Sequence, residues 1–238
     1  MHIEETWPWA VSRDGTYVIQ PWLDAISQPH DAQRYFTESV NENVRRNIKR
    51  ARRAQFVARR SRTAEDAAHF YADLLEPMAH ARFGSTVMYG SIQHFLSLNG
   101  RTMHTDIVFL QQDGEDVAGV ALVISPPRRC VRIWAYGMEL SRLESARQRA
   151  DIMTALNMHS VEVASALRYD LCFGLTRPFS DDGVYAYKRR WGAGLIATNE
   201  MARFRMRFTS NRERSRLARN LPLLVVGQDG IEPLAPSP

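Results

Sequence analysis

Apolar residues recur along this chain at two periods, and the switch between them lays out the elements. Over residues 31–53, Val40, Val44, Ile48 and Ala51 repeat at four, four and three. This spacing predicts one continuous helix with a single buried stripe and arginines on its other faces. Residues 56–60 follow as a short strand. Thr63-x-x-Asp66 has the form of a capping box and predicts a helix to about residue 81, ended by Gly84. A second helix spans about residues 89–98 and stops at Asn99-Gly100. The period then changes to that of strands at 105–111, 117–124 and 131–136, which are rich in Val, Ile and aromatic residues. Asp113-Gly114 and Pro126-Pro127 mark the turns between them. Ser141-x-x-Glu144 predicts the start of a long helix over 142–167, with Leu143, Ala146, Ala150, Met153, Leu156, Ala164 and Leu167 as its apolar stripe. A short strand at 169–173, a short helix at 182–191, a strictly alternating strand at 203–208 and a charged helix near 211–219 complete the pattern.

Three antiparallel strands, a long helix and a strand that must return to the sheet make an α+β arrangement with a mixed sheet. Residues 1–30, with a turn at Asp14-Gly15 and one strand at 17–20, read as an N-terminal extension. Residues 31–220 read as one domain. Residues 221–238 read as a tail, disordered from Gly230 on because it carries three prolines.

Composition narrows the chemistry. The chain has 238 residues, 45% of them hydrophobic and 24% charged, which suits a globular protein with a sizeable core. Its net charge of +5 suits an anionic partner. Cys130 and Cys172 are its two cysteines and form no C-x-x-C motif, which excludes a zinc ribbon or a redox pair and leaves buried free thiols. The seven histidines include no pair four apart, so no metal is expected. No apolar run reaches the ~18 residues of a membrane span. The acidic start MHIEETWPWAV does not read as a signal peptide, so a cytoplasmic setting is expected.

Four segments carry a resemblance. VRRNIKRARRAQFVARRS, a helix ending HARFG, then YDLCFG, then GVYAYKRRWGA resemble the FemABX-type branch of the GNAT acyltransferases over about residues 35–208. The resemblance implies a GNAT-like mixed, mostly antiparallel sheet flanked by helices. It also implies an N-acyltransferase that moves an acyl or aminoacyl group onto a small-molecule or nucleotide-linked amine. Acyl-CoA is one donor it implies; aminoacyl-tRNA is the alternative, and a homodimer is compatible with it. The glycine-rich pyrophosphate loop of GNAT enzymes is absent, because the matching stretch reads GMELSRLESA. Family members often carry two tandem domains, and this chain has room for one and a fragment.

Direct acyl transfer to an amine needs a polarised carbonyl, a deprotonated amine and alignment of the two. On helix 182–191, Val184, Tyr187 and Trp191 share one face and are expected in the core. Tyr185, Lys188 and Arg189 share another. By the resemblance, Lys188 stabilises developing oxyanion charge and Tyr185 serves a leaving group. Their bland alternatives are a surface lysine and a half-buried aromatic. Arg82 matches an arginine of the family's substrate edge. Arg177 stands after the strand at 169–173, and Tyr136 ends the middle strand beside the implied acyl channel. Asp170 reads as a polar-face residue sooner than as a base, and His159 as a packed or surface residue. The basic run holds Arg45, Arg46, Lys49, Arg50, Arg52 and Arg53. It reads as a solvated helix face, a phosphate-binding edge or an RNA contact, extended by Arg59, Arg60, Arg62 and the row Arg203, Arg205 and Arg207. A nucleic-acid-binding module on a degenerate GNAT core is therefore the second functional class.

Overall fold

Three short strands open the chain in the computed structural model: β1 (His2–Thr6), β2 (Thr16–Ile19) and β3 (Leu23–Ser27). The structure describes residues 2–6, 16–84, 90–197, 203–220, 222–227 and 229–234. The turn expected at Asp14-Gly15 and the helix start at Tyr89 lie outside them. The chain forms two compact units: residues 28–172, and residues 1–27 together with 173–238.

In the unit of residues 28–172, α1 (Ala32–Arg34) widens into a π-helical turn, Tyr35–Ser39. The single helix expected over 31–53 is broken at Val40, which is extended at φ −84° and ψ 150°. Asn41 is the cause. Its side-chain oxygen accepts the Val44 N–H at 3.0 Å and starts a new helix, α2 (Glu42–Arg53). The predicted stripe holds, since Val40, Val44, Ile48 and Ala51 are all buried. β4 (Val57–Ser61) follows. Thr63 caps α3 (Ala64–His69), which continues through a π-helical stretch, Phe70–Leu75, into α4 (Glu76–Phe83). Gly84 ends it at φ +62°, a conformation that favours glycine. Ser91 caps α5 (Ile92–Ser97).

β5 (His104–Gln112), β6 (Glu115–Ser125) and β7 (Cys130–Met138) form an antiparallel meander, and β4 pairs antiparallel with β5. α6 (Ala146–Leu167) begins later than the Ser141 motif predicts. Ser145 is its cap, accepting the Gln148 N–H at 3.2 Å, and Leu140–Arg142 form a separate 3-10 turn. The stripe expected on α6 is also corrected. Ala146 and Leu167 are exposed, whereas Ile152, Leu156, Asn157, Ser160, Val161 and Ala164 are buried. α6 packs on β5, β6 and β7 and also against α2, so its middle turns are covered on more than one side. β8 (Asp170–Thr176) then pairs parallel with β7.

Successive side chains on a strand point to opposite faces. On β7, Tyr136 reaches Asn157 of α6, while Gly137 abuts the backbone of Leu74 and Leu75. Helices therefore cover both faces of the sheet. The architecture is the expected α+β fold, a mixed and mostly antiparallel sheet flanked by helices.

The other unit is built from both ends of the chain. It contains α7 (Gly183–Arg190), β9 (Gly194–Ile196), β10 (Arg203–Arg207) and α8 (Asn211–Asn220). β10 lies between β1 and β2 in an antiparallel sheet, and β3 pairs with β9. β11 (Leu224–Val226) and β12 (Ile231–Pro233) form a hairpin within the segment expected to be a tail. Its Leu223, Val225 and Leu234 join Met206 in one apolar cluster, and that burial holds the hairpin strands in place. Among the described residues no helix is long and apolar enough to cross a membrane.

Candidate active site

β7 carries an irregularity at its centre. Ala121 pairs with Ala135 and Leu122 with Ile133, so Trp134 is an extra residue, a β-bulge. The Trp134 indole N–H donates to the Tyr71 hydroxyl at 2.9 Å, and the ring also meets Phe95 and His94. Beyond the bulge the Tyr136 hydroxyl donates to Asn157 Oδ1 at 2.7 Å, and the Asn157 amide donates to the Met153 carbonyl at 2.9 Å. Asn157 is fully buried, so this pair fixes the Tyr136 ring against α6. The parallel ladder from β7 to β8 covers three residue pairs and ends at Arg132 and Cys172. The backbone of β7 from Ile133 onward is outside that ladder.

The second group lies in the other unit, where β8 ends and α7 begins. Asp182 caps α7 by accepting the Tyr185 N–H at 2.8 Å, and it also accepts from the Thr176 hydroxyl at 3.2 Å. Gly174 has φ +80°, and its carbonyl and that of Leu175 both accept from Lys188 Nζ, at 2.9 and 2.6 Å. The helix face expected to be buried is buried only at Trp191. Val184 is 53% exposed and Tyr187 38%, while Lys188 is only 7% exposed. Trp191 is buried as expected and packs on Phe173. Two backbone carbonyls give the ammonium a hydrogen-bonded place inside, and this overrides an orientation assigned on side-chain polarity alone. The Arg189 guanidinium sits 5.9 Å from the Tyr185 ring centre. Arg177 and Arg189 are exposed and Tyr185 and Asp170 are half-buried.

The candidate residues thus fall into two sets. Tyr185, Lys188 and Arg189 share α7, and Arg177 belongs to the same unit. Tyr136, Arg82 and the basic helix belong to residues 28–172. Arg82 is exposed on the last turn of α4. On α2, Arg45, Arg46, Lys49, Arg52 and Arg53 are exposed. Arg50 is half-buried and ion-paired with Asp151 of α6, and so differs from the rest of the patch. Arg59 is likewise committed, to Asp66 at 2.8 Å and to Asp116. Arg203, expected on an exposed row, is 4% exposed. Sequence reasoning missed Asn157 and the Trp134 bulge. Asn157 left a signal, an amide inside the apolar middle of a helix, whereas a bulge appears only in the pairing of two strands.

Cys130 and Cys172 are unlinked thiols. Among the described residues no group of three or more His, Cys, Asp or Glu side chains could hold a metal ion.

Comparison with solved structures adds the fold's relatives. FemX superposes with a TM-score of 0.56 at 14% identity over 90% of this chain and 68% of its own. The chain shares its fold with FemX. The C-terminal domain named for a lysylphosphatidylglycerol synthetase of Agrobacterium fabrum matches with a TM-score of 0.52 at 12% identity, over 80% of this chain and 61% of its own. L-PGS from Bacillus licheniformis matches with a TM-score of 0.51 at 11% identity, over 84% and 64%. The chain therefore spans about three fifths to two thirds of these structures. No protein-family model and no curated protein matches the sequence.

Proposed function

We propose that this chain is an acyl or aminoacyl transferase of FemABX type that acylates an amine by direct attack. The amine nitrogen adds to the donor carbonyl, the tetrahedral intermediate expels the thiol or ribose hydroxyl of the donor, and the proton lost from nitrogen leaves with that group. The supporting observation is β7, where a bulge at Trp134 is followed by backbone outside the three-pair ladder. Strand edges of this kind bind extended chains through N–H and C=O groups, which suits the amide-bearing arm of acyl-CoA. The names of the solved relatives, FemX and lysylphosphatidylglycerol synthetase, fit transfer chemistry on this fold. In this reading Lys188 acts by position, holding the end of β8 through Gly174 and Leu175.

A second donor is favoured by a separate observation. Arg46, Lys49 and Arg53 lie three and four apart and are all exposed, a row that suits the phosphates of a tRNA-borne donor. A thermal-shift titration with acetyl-CoA beside a deacylated tRNA pool separates the two, because a ligand of the native state raises Tm by mass action. A rise with acetyl-CoA alone supports acyl-CoA as donor. A rise with tRNA alone, lost at high salt and in an Arg46, Lys49 and Arg53 to Gln triple variant, supports aminoacyl-tRNA. No rise with either, and no transfer from either charged donor to a panel of amines, overturns the transferase reading.

A further inference from the structure

Two open cavities meet at Arg60, on the β4 side of the sheet in residues 28–172. One, of about 220 Å³, has an apolar floor of Ala58, Val108, Val163 and Ala166. The other, of about 500 Å³, is lined by Arg60, Arg62 and Asp106 together with Ser61 and Thr63. β7, with Tyr136, lies two strands away from β5.

The charges at the junction do not balance. The guanidinium groups of Arg60 and Arg62 both approach the same oxygen of Asp106, Oδ2, Arg62 at 3.5 Å. One carboxylate thus serves two cations, and the pair keeps a net positive charge. The two side chains remain 46% and 62% exposed, so their other N–H groups can meet a ligand. Asp106 itself is 1% exposed, and among the described residues its second oxygen, Oδ1, has no hydrogen-bond partner. Buried polar atoms are almost always matched, so this acceptor calls for a donor that the described residues do not supply. Burial, reinforced by Arg62, holds the His104 imidazole below its usual range. Glu162 at the rim of the smaller cavity is engaged by His159 Nδ1 at 2.7 Å.

We propose that this groove binds a small organic acid with a hydroxyl beside its carboxylate and an aliphatic tail. The carboxylate lies on Arg60 and Arg62, the hydroxyl donates to Asp106, and the tail covers the floor of Ala58, Val108, Val163 and Ala166. Two convergent guanidinium groups match the two oxygens of a carboxylate, and the apolar floor continues directly from that end.

An NMR titration of the whole chain with 2-hydroxyhexanoate, hexanoate, lactate and inorganic phosphate tests this. The hydroxy acid with the tail is expected to bind at least ten-fold tighter than the other three. Arg62→Gln, at an exposed side chain, and Ala166→Gln, which fills the floor from an exposed position, are each expected to weaken it ten-fold or more. An unchanged Kd in Arg62→Gln overturns the proposal. So does phosphate binding as tightly as the hydroxy acid, or hexanoate matching it. No transfer reaction enters the titration, so its failure leaves the transferase reading standing.

Discussion

Gly137 shows how far one residue can constrain this fold. A Cβ at that position would lie 2.8 Å from the backbone carbon of Leu74 and the backbone nitrogen of Leu75, with no flexible side chain to give way. The strand and the helical stretch Phe70–Leu75 touch there only because the side chain is a hydrogen. Gly137→Ala is expected to destabilise the protein by about 1–3 kcal/mol, the usual cost of overpacking a filled interior, read as a lower urea midpoint at unchanged slope. Tyr136, one residue earlier, was visible in sequence as a candidate, but its pairing with Asn157 was not, because the two are 21 residues apart. Lys188 is the opposite case. It stood out in the sequence as a candidate, but its direction was not legible, since polarity alone sends a lysine to the surface. Two backbone carbonyls brought it inside.

At the scale of elements, caps decided what apolar spacing could not. The buried stripe of α2 was legible, yet its start was set by Asn41 and that of α6 by Ser145, each by one side-chain hydrogen bond. The start of α3 was read correctly because Thr63 does the same. Asp66, in the first turn of α3, ties that helix to β4. Hydrogen bonds from Arg59 first, then from Ser61, hold its carboxyl well below the usual carboxylate range. A carboxyl lowered in the folded state stabilises that state above its unfolded pKa of about 4, and the benefit fades as pH falls further. Acid unfolding followed by circular dichroism is therefore expected to be less steep below about pH 4 in Asp66→Asn, with lower stability at neutral pH. Identical acid curves for the two proteins would remove Asp66 as a source of acid sensitivity. Arg59 rests 4.1 Å from the centre of the Phe109 ring, so its stem and head serve the same junction.

At the scale of the whole molecule, the N-terminal strands belong to a sheet whose central strand, β10, comes about 200 residues later. Each of its neighbours, β1 and β2, lies within residues 1–27. Deleting residues 1–27 strips β10 of both partners and removes β3, the partner of β9. Hydrogen exchange of that truncated chain is expected to show protection lost in β10, β11 and β12 but retained in β5, β6 and α6, whose main contacts lie within residues 28–172. Uniform loss of protection would mean that the two units unfold as one.

The sequence by itself determined the α+β class, the antiparallel meander, the buried stripe of α2 and the position of most turns. Each of these depends on neighbours a few residues apart, where apolar period and turn chemistry act directly. The tertiary structure alone decided which face of α7 is buried, that the chain's two ends build one sheet, that Trp134 bulges and that Arg60 and Arg62 share Asp106. Those outcomes depend on groups far apart in the chain, where burial, strand register and the balance of charges are set only once the elements have met.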